Sequence, residues 1–336
     1  MGRISYYFKR LMHMNYSAMF KAVGEVHRRS GKNSIITFFD MIGCSIKYQA
    51  GYMDYKVFFF ENLTGAQRAT FVTRGVNNAY IKKLNNPAYN HYFRNKREFN
   101  EKFRQYLNRD FIDLETATYE EYRKFLRDNP VFMAKPVDGQ CGKDIEKIVT
   151  ADVDDKKKLY NRLKENRQFL LETFVVQHHE ISRLFPNSVN TIRMVTMRIK
   201  GKTTIAYRVI RIGNGNNVVD NFNHGGMFSV VDENGVITKP AIDKSGNVYE
   251  VHPVTKTPIM GFKIPLFEEA KELVMKMSEV IPEIGYTGWD ICITENGPVV
   301  IEGNEFPGYD VYQSKIHLDK DNKGLKPMFD KIIKGE

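Results

Sequence analysis

An α+β fold follows from a change of pattern along the chain. Up to about residue 110 apolar side chains recur at helical spacing. From Val131 onward they fall in short runs joined by glycine- and asparagine-bearing turns, the mark of hairpins. At 336 residues the chain can bury a substantial core and form two or three lobes.

Fifty basic against forty acidic side chains leave a net charge of +10, which favours an anionic partner: nucleotide, acidic glycan, nucleic acid or membrane surface. The charge is spread along the sequence rather than blocked, so nucleic acid is disfavoured. Cys44, Cys141 and Cys292 are odd in number and far apart, which points to a reduced, cytoplasmic chain. Charges at Arg3, Lys9, Arg10 and Lys21 interrupt Met1–Ser30, so it is no signal sequence. As an amphipathic helix, it either packs against the protein or touches an anionic membrane, the first being favoured.

Asn33–Gln49 has helical periodicity, and Thr64-Gly65-Ala66-Gln67 is a capping box predicting a helix toward Tyr80. Asn85-Asn86-Pro87 breaks the chain. Asn90–Leu107 then places Tyr92, Phe93, Phe99, Phe103 and Leu107 on an amphipathic helix that carries Lys96, a solvated lysine unless a ligand engages it. A second capping box, Thr118–Glu121, opens a helix that stops before Pro130.

Val131–Val137 and Ile145–Thr150 predict a hairpin lid around Asp138-Gly139-Gln140-Cys141-Gly142-Lys143. Gly139 and Gly142 allow backbone N–H groups close to phosphate oxygens, and Lys135 adds a point charge, although the loop is not a P-loop. A helix over Asp154–Asn166 precedes the apolar strand Gln168–Gln177, whose single acid is Glu172. His178 and His179 are adjacent and have no third ligand nearby, which argues against zinc. Glu180 is either a surface acid or an acceptor for ribose hydroxyls.

Asn190–Ile199 and Thr203–Ile212 flank Lys200-Gly201-Lys202. A three-residue loop there pairs Met197 with Ile205, Val195 with Tyr207 and Arg193 with Val209. Arg193 and Arg211 then share the end of an apolar face, and Arg198, Arg208, Thr196 and Thr204 lie on a solvated one. Two guanidiniums on an apolar face call for an anion or for internal salt bridges. Gly213–Gly226 is polar and glycine-rich, with Asp220, Asn221 and His224 as candidates to orient a substrate. Met227–Ile242 is β-rich around Asn234-Gly235, Phe267–Val280 is an amphipathic helix, and the segment from Gln313 ends in a short helix.

The chain is organised around Gly285–Asp310. With Glu295-Asn296-Gly297 as the loop, Thr294 pairs with Pro298 and Asp290 falls opposite Glu302. Asp290, Glu302 and Asn304 share one face, and Trp289, Ile291, Val299 and Ile301 fill the other. A two-residue loop would shift the register and part the acids. Facing carboxylates repel unless something sits between them. The set is therefore either the solvent-facing polar side of an edge hairpin or an all-oxygen site that suits Mg²⁺. Glu305-Phe306-Pro307-Gly308, which ends the strand sharply there, favours the metal site.

Three motifs, Asn190-Thr191-Ile192-Arg193, Arg211-Ile212-Gly213 with its later Asp220-Asn221 and Gly225-Gly226, and Gly288-Trp289-Asp290 with Glu302-Gly303-Asn304, carry a resemblance over about residues 90–312. The chain resembles the ATP-grasp superfamily, most closely its sugar-transfer-associated branch. It is also similar to the ribosomal-protein glutamate ligases in the spacing of Arg211 and Asn221 before Gly-Gly. The resemblance implies two α+β lobes gripping ATP: a domain over 90–336, with a lid lobe over about 118–175 and a C-terminal lobe over about 176–312. Residues 1–89 form a helical N-terminal region in place of the Rossmann-like domain of many members.

It further implies that Lys96, Lys135, Gly139 and Gly142 meet phosphates and that Glu172 with the Phe174 and Val175 backbone holds adenine. Glu180 takes the ribose, Asp290, Glu302 and Asn304 take Mg²⁺, and Arg193, Arg211, Asn221 and His224 act on the reacting group. The implied reaction joins a small-molecule or glycan carboxylate to an amine through an acyl phosphate, in surface-glycan synthesis. A kinase acting on a hydroxyl, or a non-catalytic nucleotide- or glycan-binding protein, are the alternatives.

Overall fold

The computed structural model describes residues 15–137, 144–215 and 225–336. The chain divides into two compact units, Met1–Lys83 with Gly308–Glu336, and Leu84–Pro307.

The first unit is helical. Asn15 caps α1 (Tyr16–Ser30), which ends at Gly31 in the left-handed region, and Asn33 caps α2 (Ser34–Lys47). After α3 (Tyr52–Val57), Phe58, Phe60 and Phe71 stack into a small core, the closest rings 4.9 Å apart. The capping box at Thr64 forms as expected, but its helix α4 (Gly65–Arg68) is one turn long. The predicted run to Tyr80 is broken because Phe71 and Val72 are drawn into the core, where the Val72 N–H donates to Gln313 Oε1 at 2.9 Å. Helix α5 (Arg74–Leu84) restarts beyond them, and Phe329 of the C-terminal helix Lys326–Lys334 packs on Tyr80.

In the second unit, the helix expected over Asn90–Leu107 is divided into α6 (His91–Arg94) and α7 (Lys96–Phe103). Asn95 leaves the helical conformation and caps α7 through the N–H groups of Arg97 and Glu98. The break turns Phe93 onto Trp289. The chain then forms β1 (Phe111–Asp113), α8 (Tyr119–Asp128), β2 (Val131–Lys135), β3 (Glu146–Val149), α9 (Lys156–Glu165) and β4 (Leu170–Thr173). These strands make an antiparallel sheet in the order β1-β4-β2-β3. Tyr122, Phe125, Leu159 and Leu163 of the two helices cover Phe132, Ile148 and Leu171.

The short helix α10 (His179–Ser182) leads to β5 (Ile192–Ile199), β6 (Lys202–Ile212), β7 (Met227–Val230), β8 (Ala241–Asp243) and β9 (Val248–Tyr249). Helix α11 (Phe267–Met277) and the hairpin β10 (Tyr286–Thr294) and β11 (Gly297–Asn304) follow. A seven-stranded antiparallel sheet results, ordered β11-β10-β5-β6-β7-β8-β9. Ala270, Val274 and Met277 of α11 join Met194, Ile210, Trp289, Ile291 and Val300 in the main core, with Phe99 and Phe103 of α7.

Two expectations about this sheet are corrected. The face of β5–β6 assigned to solvent is covered too: its Ile192, Met194 and Ile210 lie in the main core, while Val195, Met197 and Val209 of the other face are also buried. β5 is central, so Thr196 is buried, and its hydroxyl oxygen accepts from Trp289 Nε1 and Ser278 Oγ at 2.9 Å each. Both hairpin turns are also one residue shorter than read, with Ile199 opposite Lys202 and Thr294 opposite Gly297. Lys200 (φ 47°) and Gly201 (φ 82°) both take the left-handed conformation that a tight two-residue turn requires. In each hairpin a bulge, at Ala206 and at Ile301, takes up the difference. Val195–Tyr207, Arg193–Val209 and Asp290–Glu302 therefore pair as expected, and Val300 replaces Ile301 in the core.

Candidate active site

The bulge in β11 brings Asp290 and Glu302 face to face, with Asn304 two residues further on donating Nδ2–H to Glu302 Oε1 at 3.2 Å. Asp290 is buried and Glu302 keeps 52% of its side chain accessible. Gly303, between Glu302 and Asn304, leaves no free room for a side chain: a Cβ there would lie 2.8 Å from the Phe99 ring and 3.0 Å from Phe93.

Arg193, directly across from Asp290 on β5, grips it with two N–H groups, the Nε contact being 2.5 Å. Arg211 adds an N–H to Asp290 Oδ2 at 3.2 Å and remains 27% exposed. Of the two fates open to these arginines, anion binding or internal salt bridges, the second is the one seen in this structure. Burial alone would raise the Asp290 carboxyl, but Arg193 and then Arg211 hold it down at about 2. Burial and the Asp290 charge push Glu302 the other way, above its usual range. Since half its side chain stays accessible, the neighbouring carboxylate is the firmer cause.

These donors fit Mg²⁺. Two opposed carboxylates and an amide oxygen form an oxygen-only set, and the repulsion between facing carboxylates is one that a proton or cation relieves. Glu302 and Asn304 would be the more open donors for such an ion, since Asp290 is already shared with two guanidiniums.

A second charged cluster lies between the sheets. Both oxygens of the fully buried Glu172 are engaged, one by Lys135 and the other by Arg109 at 2.6 Å and Asn100 Nδ2 at 2.8 Å. These cations hold its carboxyl far below the usual range despite burial. Glu172 is therefore the counter-ion that positions Lys135. Arg109, absent from the sequence reading, also donates Nε–H to the Val300 carbonyl at 3.0 Å, tying the cluster to the β11 bulge. Nothing in its local sequence marks it, because its partners are distant in the chain.

The backbone N–H of Lys96 lies 3.4 Å from the Val137 carbonyl, two residues beyond Lys135. Phe174 donates its N–H to the Val131 carbonyl at 3.2 Å, and Lys147 lies 4.0 Å over its ring. Val175 follows in the irregular segment after β4. Glu180 stands apart from both clusters, half exposed and paired with Arg183 at 2.6 Å. Gly139, Gly142, Asp220, Asn221 and His224 lie outside the described residues.

The expectation that His178 and His179 lack a third partner is corrected. Their rings stack with centroids 4.4 Å apart, and Glu295 of the β10–β11 turn meets both, at 3.4 Å and 2.8 Å. Folding supplies what local sequence does not. The three side chains nonetheless read as a clip. His178 Nδ1 accepts the Glu180 N–H at 3.1 Å, which leaves the neutral ring's proton on Nε2 and no lone pair there for a metal.

The root of the Gly213–Gly226 segment is clamped by residues that were not singled out. Asn190 Oδ1 accepts the Gly213 N–H at 3.0 Å, and Gln177 Oε1 holds Asn190 at 2.8 and 2.9 Å. His252 Nδ1 accepts two backbone N–H groups at 3.2 Å, so its Nε2–H donates to the Gly213 carbonyl at 2.9 Å. Burial lowers the His252 pKa and keeps the ring neutral.

No curated protein matches the chain. Solved structures similar to it include D-alanine–D-alanine ligase from Bacillus anthracis, at 12% identity over 72% of this chain and 66% of that one (TM-score 0.41). N5-carboxyaminoimidazole synthetase from Staphylococcus aureus with ADP is 16% identical over 66% and 47% (TM-score 0.40). ATP-grasp ligase PsnB with a precursor variant, Mg and ADP is 12% identical over 77% and 65% (TM-score 0.43). The chain thus spans about two thirds or less of their length, a likeness too distant to argue activity. The family model of sugar-transfer associated ATP-grasp proteins matches residues 75–317, most of the chain and all of the strands that carry the two charged clusters. By that match, the chain belongs to the sugar-transfer associated ATP-grasp family.

Proposed function

We propose that the chain is an ATP-dependent carboxylate–amine ligase. The reading is carried by one observation: the Asp290–Glu302–Asn304 oxygen set beside Arg193 and Arg211. Bound Mg²⁺ would supply charge neutralisation at the phosphoryl group. Glu302 and Asn304, with Asp290, would hold it. Lys135, oriented by Glu172 and steadied through Arg109, would offer charge to phosphate oxygens. Lys96, Gly139 and Gly142 would line the same phosphates, with Phe174, Val175 and Glu180 toward the nucleoside. Arg211, 27% exposed beside Asp290, would steady the substrate anion with Arg193, Asn221 and His224.

In this reading a carboxylate oxygen takes the γ-phosphoryl group and ADP leaves. An amine then attacks the carbonyl carbon, phosphate departs, and the amine proton passes to solvent. An acyl phosphate is reactive enough to need no protein nucleophile. The family's sugar-transfer association supports a uronic or other glycan-linked acid as substrate, used in cytoplasmic steps of polysaccharide synthesis.

The test is incubation of the full chain with MgATP, hydroxylamine and a panel of uronic acids, nucleotide-sugar acids and amino acids. Hydroxamate with matching ADP is expected for one class of acid. A stable phosphorylated alcohol would replace the ligase with a kinase, and nucleotide binding without ADP release across the panel would leave a binding protein.

A further inference from the structure

Among the described residues, the first unit carries an exposed apolar face. Ile35, Phe39 and Ile46 of α2 follow one another at helical spacing and are 68%, 64% and 54% exposed, with Ile36 and, from α1, Phe20 beside them. The opposite face of α2, with Thr37, Met41 and Cys44, is the one packed inward. The helix is thus apolar on two sides and buried on one. An exposed stripe of large apolar side chains of this kind marks an interaction surface.

Charge indicates what covers it. Although the +10 is dispersed along the sequence, it is unequal between the units. Residues 1–83 with 308–336 hold nineteen Lys and Arg against nine Asp and Glu, whereas 84–307 hold thirty-one of each, so the first unit carries all of the net charge. The acids of residues 1–83 are all internally engaged. Glu25 pairs with Lys56, Asp40 with Arg68 and Glu61 with Arg29, and the buried Asp54 accepts from backbone N–H groups and Tyr309. Lys21 and Arg28 of α1 and Lys47 of α2 are exposed, and among the described residues no acid pairs with them.

We infer that this unit docks on an anionic phospholipid surface, with the α2 stripe entering the interface and the exposed cations of α1 and α2 meeting the headgroups. A second copy of the chain fits the face less well, because it would bring +10 against +10. Nucleic acid would leave the apolar stripe in water. The inference rests on the first unit alone and does not depend on the ligase reading.

Co-sedimentation of the full chain tests it, using phosphatidylcholine vesicles with and without about one third phosphatidylglycerol. Binding is expected to the anionic vesicles only and to weaken with salt. The triple variant Ile35→Ser, Phe39→Ser, Ile46→Ser should bind at least about tenfold more weakly with unchanged circular dichroism, while Glu302→Gln should bind like the parent. Equal affinity of the triple variant, or equal partition to neutral and anionic vesicles, would overturn the proposal. So would a light-scattering dimer that the triple variant converts to monomer without any vesicle binding, which would make the face a self-interface.

Discussion

Glu302 and Glu172 are both acids among charges, and removing the charge should act in opposite ways. Glu302 faces Asp290, so Glu302→Gln relieves repulsion and should leave thermal stability equal or higher, while ATP turnover falls about a hundredfold or more. Glu172→Gln instead leaves Lys135 and the 3% exposed Arg109 without their counter-charge. A loss of about 3 kcal/mol in urea unfolding is expected, and a loss below about 1 kcal/mol would contradict the counter-ion role. The acids and the arginine pair were legible in the sequence because a charged residue on an otherwise apolar strand is anomalous. Arg109, Asn190 and His252 were not, since each acts through partners that only folding brings near.

The two charged hairpins teach a different lesson. Turn composition suggested three-residue loops, the chain uses two-residue turns, and a bulge at Ala206 or Ile301 restores the pairing at the charged end. Neither bulge residue is unusual for a strand, so nothing in the composition announces it. Counting from a three-residue loop still placed Asp290 opposite Glu302, because the extra loop residue and the unforeseen bulge residue Ile301 offset each other. The same hairpin offers a test of its packing. Gly303→Ala would drive a methyl into Phe99 and Phe93, and about 1–3 kcal/mol of stability should be lost in thermal or urea unfolding. Unchanged unfolding would mean that the rings do not seat on that strand.

Across the molecule, periodicity was enough to predict helices first and antiparallel sheets after. It did not predict that Gly308–Glu336 joins the first unit, since that segment reads as a tail and its place is set by Gln313 on the Val72 backbone and Phe329 on Tyr80. The ion pairs also set a pH dependence. Asp290 is held at about 2 and Glu172 is held far below its usual range, so the stability they contribute is full above the unfolded carboxylate range near ~4 and is lost as pH falls below it, for Asp290 through about 2. Glu302, raised, acts with the opposite sign and is stabilised by protonation. Circular dichroism against pH should therefore show acid unfolding concentrated below ~4, and Glu172→Gln should flatten the lower part of that curve.

The central claim is that the Asp290–Glu302–Asn304 hairpin holds the metal of a metal–nucleotide complex. Paramagnetic titration of Mn²⁺ in the presence of a non-hydrolysable ATP analogue measures this on the full chain. The account predicts saturable Mn²⁺ binding that depends on nucleotide and weakens about tenfold or more in Glu302→Gln. Mn²⁺–nucleotide binding of equal strength in that variant would contradict it.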